Sequence, residues 1–292
     1  MVVRVAIHHH TQYQYDRMVL LSPHLIRLKP AAHTHALIES YSLTVEPENH
    51  VVHWQQDPFG NFVARVDFWE PMQTMAIKVE IIAGLEPINP FDFFIDTYAE
   101  SFPFEYDTQL KKDLISYLEV TESGMYMAQW LAQIDQTKRS TVDFLINLNQ
   151  KIFQTIAYTV RLEPGVQTVD ETLQQAIGSC RDSSWLLVQT LRQVGLAARF
   201  VSGYLAQIAT DDALSDGSTN AIENSLALHA WAEVYIPGAG WIGLDPTSGM
   251  LATESHIPLA CTPDPMGAAP ITGTSDQSET TLTYTNTLER LL

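Results

Sequence analysis

Cys180 is the residue in this chain best placed for nucleophilic chemistry. It sits in Gly178-Ser179-Cys180-Arg181-Asp182, a glycine and polar opening that turns apolar at Leu187, Val188, Leu191 and Val194 and halts at Gly195. That pattern predicts a helix that starts at the cysteine and stops at a glycine. The unpaired N–H groups and the dipole at a helix start favour a thiolate and can hold the oxyanion of a tetrahedral intermediate. The competing reading is a buried apolar cysteine. The glycine and serine before it and the Arg181-Asp182 pair after it argue for a more polar setting.

A thiolate nucleophile needs a base, and the base needs an orienting group. Leu228–Ile236 reads as a strand with His229, Trp231, Glu233 and Tyr235 on one face and Ala230, Ala232, Val234 and Ile236 on the other. Pro-Gly-Ala-Gly follows, and Trp241–Asp245 returns. An even turn over Pro237–Gly240 would set Asp245 opposite Ala232, on the wrong face. An odd loop, Ile236 to Gly240, sets it opposite Trp231 and diagonal to His229, roughly 7–8 Å away between backbones. An odd loop or bulge is therefore expected. Asp245 would then fix the tautomer of His229, whose other nitrogen would take the proton of Cys180. Taken singly, His229 reads as well as a satisfied structural histidine and Asp245 as a turn aspartate before Pro246.

The elements needed to hold these groups are visible in the periodicity. Up to about residue 85 the apolar residues alternate: Val3, Val5 and Ile7; Tyr41, Leu43 and Val45; Phe62, Ala64, Val66 and Phe68; Met75, Ile77, Val79 and Ile81. Turn signals such as Asp57-Pro58-Phe59-Gly60-Asn61 separate the runs, which predicts a β-sandwich. Leu85–Pro103 reads as an ordered linker that packs aromatics. Helical stripes follow at Leu110, Leu114, Ile115 and Leu118, and at Met127, Trp130, Leu131 and Ile134. Another, with a capping-type threonine, spans Thr141 to Ile156. After the helix at Cys180, Ala197–Leu205 reads as a strand, residues 209–225 as an acidic surface loop, and Thr281–Thr287 as a last strand.

Three blocks, GSCRD at 178–182, LHAWAEVYI at 228–236 and GWIGLDPTSG at 240–249, resemble the signature blocks of the bacterial transglutaminase-like family. Their Cys, His, Asp order and their separations of 49 and 16 residues are similar to that family's. IHHHTQYQYDRMVLLSPHLIRLKP resembles its N-terminal β-domain, and HIPLACTPDPMGAAPITG its segment after the aspartate. The resemblance implies an α+β chain: an N-terminal β-sandwich over 1–88, then a papain-like transglutaminase core over 89–292 with a C-terminal strand extension. It carries the family's catalytic cysteine, histidine and aspartate onto Cys180, His229 and Asp245. Ser183 and Ser184 after the CRD block, and LACTPDPMG after His256, depart from the family pattern and bear on the substrate cleft.

Around the site, Asp182 is expected to order the helix start, Trp231 to wall the cleft or lie in the core, and Tyr158 to line the pocket. His8 and His10 share a strand face, and His33 and His35 alternate, but no acidic or cysteine partner stands at ligand spacing, so no metal is expected. No cofactor is implied. A net charge of −18 disfavours nucleic acid and anionic membranes. Two cysteines exclude a disulfide framework, and the N-terminus lacks the apolar core of a signal peptide. A reduced, cytoplasmic setting follows as the expectation. The function expected is hydrolysis of a peptide or isopeptide bond through a thioester, with a peptide or protein as partner. Protein-glutamine cross-linking and a non-catalytic binding module on the same fold stay open.

Overall fold

The computed structural model describes residues 2–209 and 224–291. The acidic stretch between them, expected as a surface loop, lies almost wholly outside the described residues.

Period-two apolarity becomes a sandwich of two antiparallel sheets. The N-terminal strands are β1 (Val3–Val19), β2 (His24–Ile26), β3 (Leu37–Glu46), β4 (His50–Gln56), β5 (Phe62–Phe68) and β6 (Met72–Leu85). The helical region carries α1 (Thr108–Asp113), α2 (Ile115–Leu118), α3 (Met125–Ala132), α4 (Thr141–Thr155), α5 (Val169–Gln175) and α6 (Cys180–Gln193). Short strands accompany it: β7 (Ser101–Phe102), β8 (Arg139–Ser140), β9 (Ala157–Tyr158) and β10 (Ile177–Gly178). The remaining strands are β11 (Ala198–Gln207), β12 (Ser225–Ile236), β13 (Gly240–Asp245), β14 (Met250–Leu251), β15 (His256–Thr262), β16 (Ile271–Thr272) and β17 (Thr280–Arg290).

The sandwich sheets run β17-β1-β6-β3 and β16-β2-β5-β4. The chain's tail thus supplies one edge strand to each. On β1 the inward positions Val5, Ile7, His9 and Thr11 are buried while His8 and His10 are partly exposed. The histidine triplet is therefore split between faces, as strand alternation requires. His9 faces inward, bonds Thr11 Oγ1 at 2.8 Å, and lies 5.8 Å from the ring of Tyr204 on β11. Burial lowers its pKa to about 4.

The second unit is a five-stranded antiparallel sheet, β14-β13-β12-β11-β15, with α6 packed on one face. Ala230, Ala232 and Val234 of β12 and Leu186, Leu187 and Leu191 of α6 share the core with α3, α4 and α5. The other end of this sheet shares a core with the sandwich through Tyr204, Ala206, Leu226, Ile257 and Leu259. Asn61, from the predicted turn, pins the two units: its side chain donates to the Cys261 carbonyl at 3.0 Å and accepts from the Cys261 N–H at 2.8 Å. Cys261 lies buried on β15, where pairing with β11 orders the segment.

Some helix expectations shift. The stripe from Leu110 to Leu118 is two short helices, because Leu114 leaves helical geometry at φ −95° and ψ 9°. α3 ends at Ala132, before Ile134. The cap of α4 is Ser140, whose hydroxyl accepts from the Asp143 N–H. Thr141 instead donates to the Ala99 carbonyl inside the fold.

Candidate active site

α6 begins at Cys180, with Ser179 as its N-cap. The Asp182 carboxylate reaches back to accept from the Ser179 N–H at 2.8 Å and its hydroxyl at 2.7 Å, which fixes the entry angle of the helix. Asp182 also accepts from the Gln167 N–H at 2.7 Å and from Arg161 Nε at 2.9 Å. Burial pushes its pKa up, but these donors outweigh it and hold the carboxyl below its ordinary value. Asp182 is thus a buried brace behind the helix tip. The helix closes as its sequence predicts: Gly195 takes φ +86°, and the N–H groups of Gly195 and Leu196 return to Arg192 and Leu191.

The hairpin has the odd register. Tyr235 pairs Trp241 and Ala232 pairs Leu244, with Ile236 opposite Gly240 and three residues, Pro237 to Ala239, in the turn. Gly238 at φ +87° and Gly240 at φ +79° supply the left-handed backbone this needs. His229 Nε2 consequently meets Asp245 Oδ2 at 3.1 Å. Thr247 tightens the carboxylate, donating to Oδ1 from its N–H at 2.8 Å and its hydroxyl at 2.7 Å. Burial works against a charged His229, yet hydrogen bonds to Asp245 and to the Cys180 side chain, with their charges, raise its pKa to about 9. Burial likewise opposes ionisation of Asp245, but its bonds to His229 and His256 push its pKa far down. With Nε2 engaged by Asp245, Nδ1 is the nitrogen left for Cys180.

The structure therefore brings Cys180, His229 and Asp245 together, with the histidine and aspartate buried and the cysteine partly exposed. Tyr158 lies at the surface within electrostatic reach of the site. It is 58% exposed on β9, which pairs with β10 immediately before Cys180, and its phenol feels the charges of Cys180 and Asp245. Trp231 is fully buried beneath His229, their centroids 6.4 Å apart, so it is a floor and not a cleft wall. Its ring lies across Gly203 and Gly243: a Cβ on Gly203 would come within 2.4 Å of the ring.

Sequence reading missed His256, whose Nε2 lies 3.4 Å from Asp245 Oδ2. It also missed Asn149, whose amide donates to the carbonyls of Asp245 and Met250. Thr247 had a local signal, since Asp-x-Thr is a side-chain turn pattern; the other two had none. A cavity of about 490 Å³ beside Asp245 is bordered by Asn149, Thr247, Met250 and His256.

Among the described residues, two groups of side chains bring ligand-type atoms within 4.8 Å of one another: His229, Asp245 and His256; and His33, Glu233 and Cys261. The second joins His33 to partners that spacing did not reveal. Neither arrangement suits a cation. In the first, the Thr253 N–H donates to His256 Nδ1 at 3.2 Å. The hydrogen of that ring is therefore on Nε2, which meets the carboxylate as a donor and offers no lone pair. In the second, the Arg199 guanidinium lies 2.6 Å from Glu233 and 3.2 Å from His33 Nε2, placing a fixed positive charge in the cluster.

This strand-rich domain, joined to a helix-and-sheet unit that gathers a cysteine, a histidine and an aspartate, has counterparts. The bacterial transglutaminase-like N-terminal region matches residues 5–83, and the transglutaminase-like superfamily core matches residues 128–246. The chain is transglutaminase-like: its N-terminal region and its core each match, and together the two matches span most of its length. It is 27% identical over 278 residues to the uncharacterized protein Rv2569c of Mycobacterium tuberculosis, covering 92% of this chain and 87% of that one. It is 23% identical over 273 residues to protein ML0607 of Mycobacterium leprae, covering 92% of each. The solved structure named "Putative Cysteine Protease from Cytophaga hutchinsonii" superposes on it with a TM-score of 0.70 at 16% identity, covering 100% of this chain and 91% of that one, a likeness of fold. The superfamily supports cysteine-dependent acyl transfer in general. Among the described residues, no helix is long and apolar enough to cross a membrane.

Proposed function

We propose that this protein hydrolyses peptide or isopeptide bonds through a thioester on Cys180. The observation that carries this reading is His229, bonded through Nε2 to Asp245 at 3.1 Å and with a pKa raised by Asp245 and by the neighbouring Cys180 side chain at the first residue of α6. In the reaction, His229 holds the proton given up by the thiol, and the sulfur attacks the amide carbonyl. N–H groups at the helix start, which lack intrahelical acceptors, stabilise the oxyanion. His229 then gives its proton to the leaving amine as the C–N bond breaks. Water, deprotonated by His229, attacks the thioester and releases the acid and the free thiol. Asp245 holds the ring and stabilises the imidazolium.

The partner is then a peptide or protein. A net charge of −18 supports neither nucleic acid nor an anionic membrane as partner, and two free thiols support a reduced, cytoplasmic setting, checked by fractionation.

The test uses wild-type protein and Cys180→Ala with a panel of glutamine-containing peptides, with and without an added primary amine. New amino termini that appear only with wild type support hydrolysis. Amine incorporated with release of ammonia would replace hydrolysis by transamidation. Identical behaviour of the two proteins, with peptides bound but unchanged, would leave a binding module.

A further inference from the structure

Each oxygen of Asp245 has two donors. Oδ1 accepts from the N–H and hydroxyl of Thr247, and Oδ2 accepts from His229 at 3.1 Å and faces His256 Nε2 at 3.4 Å. The carboxylate torsion of an aspartate is soft, so its plane is set by whatever grips both oxygens. His256 is itself gripped. Its Nδ1 accepts from the Thr253 N–H, Ser255 Oγ lies 3.3 Å from the same nitrogen, and its ring packs edge-on against Trp231 at 5.2 Å.

The fold makes a detour to bring it there. His256 opens β15, at the far side of the sheet from β13. The segment between β14 and β15 crosses the Trp231 face, starting from a bond of the Ala252 N–H to the Gly243 carbonyl at 2.9 Å. Gly243 allows the crossing, since a Cβ there would lie 2.5 Å from that of Ala252.

We propose that His256 is a positioning residue of the acyl-transfer site, its Nε2–H fixing Asp245 Oδ2 so that the carboxylate stays aimed at His229. The inference rests on the reading of Cys180, His229 and Asp245 as the reacting machinery. Without His256, Oδ2 keeps His229 as its donor among the described residues, and the carboxylate plane is no longer held from its far side.

The experiment measures the rate of Cys180 alkylation by iodoacetamide at neutral pH, with glutathione as comparator, in wild type, His256→Ala and His256→Gln. Thermal unfolding midpoints are recorded alongside. Glutamine presents an amide N–H near the place of Nε2–H. His256→Ala is expected to slow alkylation about tenfold, as for loss of a hydrogen bond to a charged group, and His256→Gln to recover most of it. A folded His256→Ala protein that alkylates at the wild-type rate overturns the inference. So does a folded His256→Gln that is as slow as the alanine variant. Should the alanine variant not fold, the tautomer of His256 in wild type, read from long-range nitrogen–proton correlations, decides: Nε2–H supports the inference and Nδ1–H overturns it. A wild-type Cys180 no faster than glutathione removes the catalytic reading itself. A fast wild type with an equally fast His256→Ala removes only the role of His256.

Discussion

His229 and Asp245 meet at 3.1 Å because the turn between their strands has an odd number of residues. One residue more or fewer would turn Asp245 to the face that packs α6. Inserting a glycine after Gly238 should therefore separate the pair and also turn Ile242 and Leu244 out of the core they share with α6. The expected result is a lowered thermal unfolding midpoint together with alkylation of Cys180 slowed to the rate of glutathione.

The charged state of His229 sets a pH window. Its pKa in the fold is about 9 against an ordinary 6.5, so the imidazolium is retained through neutrality and lost as pH rises through about 9. A proton donor for the leaving amine disappears over the same range, and turnover should fall with an alkaline limb near 9. The linked stability has the same sign: it is fully present below about 6.5 and lost as pH climbs through 9. Asp245→Asn should move the limb downward and slow turnover by about 10²-fold or more. A limb that stays in place in Asp245→Asn would detach the aspartate from the histidine.

Arg161 and Asp182 form a pair behind the helix tip, the carboxylate buried and the guanidinium partly exposed. Asp182→Ala leaves the Ser179 and Gln167 N–H groups and the guanidinium without their acceptor, and should destabilise the fold by about 3 kcal/mol, read from urea unfolding. Because the lost donors hold the start of α6, Cys180 reactivity should fall as well. A stable, fully reactive variant would reduce Asp182 to a surface cap.

Gly203 pairs with His229 across β11 and β12, and the ring of Trp231 lies over it. Gly203→Ala forces the ring or the strand aside and should destabilise by about 1–3 kcal/mol. Displacing the floor beneath His229 should also slow alkylation, a coupling that a remote packing defect would not show.

Cys261 is buried and 1% exposed, whereas Cys180 is partly exposed. Native protein treated with iodoacetamide should carry one label, on the Cys180 peptide, and denatured protein two. Labelling of Cys261 under native conditions would mean that β15 opens from the sheet.

What the sequence determined by itself was local: the helix beginning at Cys180 and ending at Gly195, the alternating strands of the sandwich, and the hairpin register that follows from which face His229 and Asp245 must share. Periodicity, caps and turn chemistry act between near neighbours, so a linear reading reaches them, and three motif blocks in order pointed to the family. Tertiary structure alone decided that the tail strands complete the sandwich sheets and that Arg161 backs Asp182. It also decided that Trp231 is a floor, and that His256 arrives at Asp245 by crossing a sheet face. Those contacts join residues whose separation along the chain carries no period. They exist only because Gly203 and Gly243 leave room for one ring and one crossing segment, a steric fact that appears when the strands lie side by side.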